Sequence, residues 1–134
     1  MAFLDRYRVG AHAVIINPQG QILLLKATYG HLAWGLLGGA IDPQETIFEG
    51  LQRECLEELG VDIENAILTG IYLHSDIDAH VSIFRCKLPR EHKIQLSHEH
   101  SEYAYFNLSD LAAIQRQRVE DSLGFNGNVI FRKF

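Results

Sequence analysis

A chain of 134 residues, 47% hydrophobic and 22% charged, suits one domain that buries a core of its own without disulfides or structural zinc. No run approaches the roughly 18 apolar residues of a membrane span, and a formal net charge of −5 disfavours the non-specific attraction to nucleic acid that a field of Lys and Arg provides. The expectation is a single soluble domain over residues 1–134 with no membrane association. Residues 1–8 carry Asp5, Arg6 and Arg8 and lack the apolar segment of a secretory signal, which makes the protein cytoplasmic by default. Cys55 and Cys86 are the two cysteines, one on an expected helix and one on an expected strand, and read as reduced core thiols.

In chain order, residues 9–16 form a mostly apolar, β-branched run that ends at Asn17-Pro18-Gln19-Gly20, and residues 21–27 form a second. This predicts two strands joined by a tight turn. Ile22-Leu23-Leu24-Leu25 is continuously apolar, the pattern of a strand covered on both faces. Lys26 ends that strand, either as a solvated strand end or as a cation for a substrate phosphate. Tyr29 and His31 then approach a glycine loop, where they either pack or contact a ligand, and Trp34 is expected in the core. Gly38 and Gly39 permit positive φ and close backbone approach.

The next stretch predicts a helix over residues 45–59, with Asp42 as cap, Pro43 at the first helical position, Glu45 returning the bond to the cap, and Gly60 as the stop. At about 100° per residue, Ile47, Phe48, Leu51, Cys55 and Leu59 fall on one arc and Glu54, Glu57 and Glu58 beside it. Carboxylates at i, i+3 and i+4 repel by roughly 0.2–0.5 kcal/mol a pair, more where water is partly excluded, so something positive should offset them. Oxygen ligands on a rigid element suit Mg²⁺ or Mn²⁺, which keep waters for a substrate's phosphates. Arg53 stands ready to orient one carboxylate. For an arbitrary helix, a Glu-rich end is simply a solvated face.

Residues 66–74 and 80–88 read as a hairpin with 75–79 as its connection, in which Asp76 and Asp78 are turn residues because the Gly and distant Glu of a calcium loop are missing. A polar connection over 89–97 leads through His98-Glu99-His100-Ser101-Glu102 to a strand over 103–107. The histidines show no fixed ligand spacing and read as surface residues. Ser109 and Asp110 offer caps for a last helix over 111–123, with Leu111, Ile114 and Val119 on its apolar face and Gly124 ending it. Pattern alone gives a mixed α/β domain without repeats or linkers.

Spacing carries the reading further. Gly39, Glu45, Arg53, Glu54, Glu57, Glu58 and Gly60 fit Gly-x5-Glu-x7-Arg-Glu-x2-Glu-Glu-x-Gly. At about 6% for each fixed residue type, seven such matches arise by chance in fewer than roughly one chain of this length in a million. The motif, over residues 39–61, resembles the signature of the Nudix hydrolase family. Two positions depart from it: Cys55 replaces an aliphatic residue, and Leu37 stands where Pro often precedes the glycine pair.

The resemblance implies a three-layer α/β/α sandwich around a mixed β-sheet, and a metal-dependent pyrophosphohydrolase acting on a nucleoside diphosphate linked to another group. Glu54, Glu57 and Glu58 would hold Mg²⁺ or Mn²⁺, Arg53 would orient a carboxylate, Glu45 would stabilise the loop-to-helix junction, and Gly39 would shape the loop against the substrate. Such enzymes commonly add a Glu ahead of a final aromatic strand. Glu102 fits that place best, as a base or further ligand, with Glu99 its rival. Lys26 and Tyr29 are the candidates for substrate contact. Family markers for ADP-ribose and dinucleoside polyphosphates, a Pro or a Tyr past the motif, fall on Asp76 and on residues 77–79, which leaves nucleoside triphosphates or nucleotide-sugar-like conjugates. The expected partner is a small nucleotide, with a homodimer through residues 3–9 also open. The other class of function is a Nudix-fold module that binds a nucleotide or a protein without turnover.

Overall fold

The computed structural model describes residues 3–134; Met1 and Ala2 of the N-terminal segment lie outside the described residues. Eight strands and two helices follow in the order β1 (Arg8–Val14), β2 (Ile22–Ala27), β3 (Trp34–Gly35), β4 (Leu37–Ala40), α1 (Ile47–Leu59), β5 (Glu64–His74), β6 (Ala79–Lys87), β7 (His100–Phe106), α2 (Ala113–Leu123) and β8 (Ile130–Lys133). A five-stranded sheet has the order β4-β1-β6-β5-β8 and a smaller one the order β3-β2-β7. The larger sheet is mixed, with β1 parallel to β6 and β5 parallel to β8, while β4 and β5 pair antiparallel with β1 and β6.

Alternation along the strands divides the core between two faces. Ala11, Ala13 and Ile15 of the first strand region, with Phe84 and Cys86 of β6, pack with Leu51, Cys55 and Leu59 of α1. Val14, Val81 and Ile83 turn to the other side and meet Leu111 and Val119 around α2. One helix therefore covers each face, giving the α/β sandwich with a mixed sheet. β2 splits in the same way, Leu23 and Leu25 to one cluster and Ile22 and Leu24 to the other, as its continuous apolar run requires. Both cysteines are buried and unbridged, and burial carries the Cys86 thiol up to about 12. Among the described residues, no helix is long and apolar enough to cross a membrane.

Several expectations need correction. The cap of α1 is Thr46, not Asp42: the Thr46 hydroxyl accepts from the Glu49 N–H at 3.1 Å and the Glu49 carboxylate accepts from the Thr46 N–H at 2.9 Å. Gln44, at φ 71°, cannot continue a helix, so Pro43 sits in a preceding turn. Glu45 nonetheless accepts from the Asp42 N–H at 2.8 Å, the bond expected of it. Gly60 ends the helix in the left-handed region, at φ 68°. Ile47 and Phe48 are exposed instead of buried.

β1 and β2 do not form a simple hairpin. After the turn at Asn17 they touch at one bridge, Ile16 to Ile22, and enter different sheets. A 3₁₀ turn at Leu108–Asp110 displaces the start of α2 to Ala113, and Ile114 is exposed. Trp34 is half-buried, edge-on to Phe106 at 5.0 Å. In the segment considered for dimer pairing, Phe3 and Leu4 are exposed.

Candidate active site

A cavity of about 450 Å³ opens where the β4 glycines, the C-terminal half of α1, the loop after β2 and the start of β7 meet. Gly38, Gly39, Glu54, Glu58 and Glu99 all line it. Register explains the glycines. β4 lies beside β1 with His12 opposite Gly38, and a Cβ on Gly38 would stand 2.0 Å from the Ala11 carbonyl oxygen. On Gly39 it would stand 2.9 Å from the Glu54 carboxylate carbon.

Glu58 is the most enclosed carboxyl, 4% exposed. Its Oε1 accepts from the Gly38 N–H at 2.7 Å and its Oε2 lies 3.4 Å from His100 Nε2. Burial carries its pKa up to about 8; the Gly38 bond opposes this, and the charges of Glu54, Glu99 and Glu57 add to it. Glu54 is also raised, chiefly by burial, against the pull of Arg53. The crowding anticipated from helical spacing is thus present, with Glu99 as a further contributor from outside the helix.

Arg53 binds this region together. Its Nε and Nη2 donate to the Glu45 carboxylate at 2.6 and 3.0 Å, Nη2 to the Ala40 carbonyl at 3.2 Å, and Nη1 to Glu54 and Glu57 at 3.1 and 3.4 Å. Hydrogen bonding to Glu45 is the first cause of a guanidinium pKa held above its ordinary value. One planar fork therefore ties the loop before α1 to the acidic turn, which a lysine ammonium cannot reproduce. We expect Arg53→Lys to lower kcat by about tenfold or more through misplacement of Glu54, with a lower thermal midpoint. Steady-state kinetics beside a melting curve check it, and unchanged kcat would remove the positioning role.

The structure separates the remaining candidates. Glu102 pairs with Lys26 at 3.5 Å, directly across the β2–β7 ladder, and neither residue lines the cavity. Of the two carboxylates considered as a base or further ligand, Glu99 lines the cavity and Glu102 does not. The cause is a register shift between Lys26 and Ala27, which pair with Glu102 and His100 and leave Ser101 without a partner. Such an irregularity re-aims the residues beyond it. Thr28 fixes the segment, donating its N–H to the Glu99 carbonyl and its hydroxyl to the His98 carbonyl, each at 2.9 Å. Tyr29 and His31 line the cavity mouth and are exposed. Glu57 points outward, half held by Arg53, and is not part of the lining.

Two histidines enter that sequence reasoning did not select. His100 stands against Glu58, with burial lowering its pKa. His12 lines the cavity wall, its Nδ1 3.1 Å from the Leu37 carbonyl. His12 is half-buried. Its pKa falls to about 4, first through burial and then through repulsion by Arg118, with His74 a smaller contributor. A folded pKa below the unfolded value of about 6.5 means that the unfolded chain takes up the proton first. Stability is then full above pH 6.5 and declines as pH falls towards 4, by at most about 3 kcal/mol. Urea melts of wild type and His12→Gln across that window should converge at low pH; parallel curves would contradict it.

Among the described residues, no three His, Cys, Asp or Glu side chains already stand together as a metal cage. Arg53 holds oxygens of Glu54 and Glu57, and the Gly38 N–H holds one of Glu58. The donor chemistry nonetheless fits a hard divalent cation: Glu54, Glu58 and Glu99 offer carboxylate oxygens whose mutual repulsion a cation would relieve.

A glycine loop that leads into an acidic helix, seated beside a mixed sheet, defines a class of α/β domain with a carboxylate-lined cavity. The chain belongs to the NUDIX domain family, which it matches over residues 6–123. It is 31% identical over 81 residues to a MutT-like protein of Streptomyces ambofaciens, an alignment covering 60% of this chain and 52% of that protein. It is 39% identical over 66 residues to a Bacillus subtilis protein provisionally named 8-oxo-dGTP diphosphatase, covering 49% of this chain and 44% of that one. The chain thus matches about half of the length of these curated relatives. In fold it resembles an ADP-ribose pyrophosphatase from Streptococcus suis, with a TM-score of 0.77 at 20% identity over 96% of this chain and 100% of the other.

Proposed function

We propose that this chain is a pyrophosphohydrolase that cleaves a nucleoside diphosphate linked to another group, with a nucleoside triphosphate as the favoured substrate and Mg²⁺, or Mn²⁺, as the ion. One observation carries the reading: Glu54, Glu58 and Glu99 line the same cavity as the backbone of Gly38 and Gly39. Nudix hydrolases generally use divalent ions, and the names MutT-like and 8-oxo-dGTP diphosphatase support a triphosphate.

When bound, the cation would neutralise phosphate oxygens and lower the pKa of the attacking water. The protein's own residues do the rest. Glu54 and Glu58 supply donors from α1, and Glu99 supplies either a further donor or the base that takes the water's proton. The Gly38 N–H fixes Glu58, Arg53 fixes Glu54, and the bare backbone at Gly39 admits the phosphate chain. Tyr29 and His31 are placed to contact the remainder of the nucleotide at the mouth. Glu57 is the outer member of the helical set, with its Oε2 against Arg53 and its side chain exposed.

The test is a panel of ordinary and oxidised nucleoside triphosphates and nucleotide sugars, with and without Mg²⁺, with both products identified by mass spectrometry. The expected result is Mg²⁺-dependent release of a nucleoside monophosphate and pyrophosphate from a triphosphate. Tight nucleotide binding without turnover of any member would establish the binding module instead.

A further inference from the structure

A second and larger cavity, of about 1090 Å³, shares no lining residue with the first. It lies where the end of β1, the start of β5 and the end of β6 pass Tyr105 of β7 and Leu123 of α2. Ile16, Ile67, Leu88, Tyr105 and Leu123 give it apolar walls. Arg85, Lys87 and Arg90 give it one sign of charge, and no Asp or Glu belongs to the lining. In a chain of net charge −5 this segregation is notable. Among the described residues, Arg85 donates to the Ser122 carbonyl, at 3.5 Å, and to no carboxylate. Among the described residues, Lys87 and Arg90 form no ion pair, even though Glu64 stands opposite Lys87 in the ladder.

The backbone opens the same place. The β5–β6 register breaks between Glu64 and Ile67, and Asn65, at φ 51°, takes a left-handed conformation on the cavity wall. A bulge there re-aims side chains out of the ladder. Left-handed backbone at a non-glycine residue persists where the surroundings impose it.

We propose that this cavity is a second binding site, for a small organic anion with a flat apolar body and one or two negative charges. Apolar walls take the body, and cations that lack a carboxylate partner take the charge without first breaking an internal pair. A concave volume of this size suits a small molecule better than a flat protein face.

The test uses the whole chain and two fluorescent probes that differ in charge: 8-anilinonaphthalene-1-sulfonate and its uncharged counterpart N-phenyl-1-naphthylamine. The sulfonate is expected to bind saturably at one per chain and at least tenfold more tightly than the uncharged probe. The surface variant Lys87→Glu/Arg90→Glu should weaken the sulfonate at least tenfold and leave the melting curve in place, whereas Glu54→Gln should not alter its binding. Absence of one-to-one saturation, equal affinity of the two probes, or indifference to the charge reversal would overturn the proposal. Displacement of the probe by rising protein concentration alone would overturn it too, because a second copy of the chain would then be the occupant.

Discussion

Glu58→Gln is expected to lower kcat by about two to three orders of magnitude and, in the same protein freed of divalent ions, to raise the thermal midpoint. The two effects have one origin. Glu58 is enclosed, faces the charges of Glu54, Glu99 and Glu57, and is favoured by one hydrogen bond from Gly38. An amide keeps that bond, because its oxygen still accepts from the Gly38 N–H, but brings no charge into the crowd. At pH 7 a carboxyl whose pKa is about 8 in the folded protein, and near its ordinary value of 4.5 in the unfolded chain, must take up a proton to fold, and an amide avoids that cost of about 2–3 kcal/mol. The same amide is a far poorer ligand for a hard cation. Kinetics with Mg²⁺ and melting curves in a chelator check both halves. A variant that melts earlier and also loses activity would show a merely structural carboxyl, and one that keeps its activity would remove Glu58 from the chemistry.

The opposed signs also explain why this cavity is legible from the sequence at its helical end. Helical spacing is local: Glu54, Glu57 and Glu58 must share one side of a helix wherever that helix lies, and Gly60 must end it. Which of the three turns inward depends on what covers the helix, and the sheet selects Glu58 and Glu54 over Glu57. The start of α1 was less legible because Asp42 and Thr46 are both good caps. The left-handed Gln44 decides between them, and its conformation belongs to the loop as a whole.

Glu99 was ranked behind Glu102, and His100 was not selected, for a different reason. Their direction follows from a shift in the β2–β7 ladder, and strand alternation read from sequence assumes none. His12 was hidden by its strand, since a lone histidine in an apolar run gives no sign that glycines will stand opposite it. β8 was missed because four residues after a polar turn carry too short a pattern, and pairing with β5 is what makes them a strand. The face-to-face division of the core was clearer, because the continuously apolar run of β2 requires cover on both of its faces.

The adjacent glycines should fail in opposite ways when each is replaced by alanine. At Gly38, φ is 124° and the new Cβ would meet backbone, 2.0 Å from the Ala11 oxygen and 2.7 Å from the His12 Cα. Neither atom can yield without parting β4 from β1, so Gly38→Ala is expected to cost about 3 kcal/mol or more and to reduce the yield of folded protein. At Gly39, φ is outside the left-handed region and the obstacle is the far end of the Glu54 side chain, at 2.9–3.1 Å. That carboxylate can swing away, so Gly39→Ala should melt within about 1 kcal/mol of wild type yet turn over about tenfold or more slowly. A double variant adds a control. If the alanine acts only by displacing the carboxylate, Gly39→Ala should cost less when added to Glu54→Asp, whose shorter side chain leaves room, than when added to wild type. Equal losses on both backgrounds would mean that the Gly39 backbone, and not its clearance of Glu54, is what turnover requires.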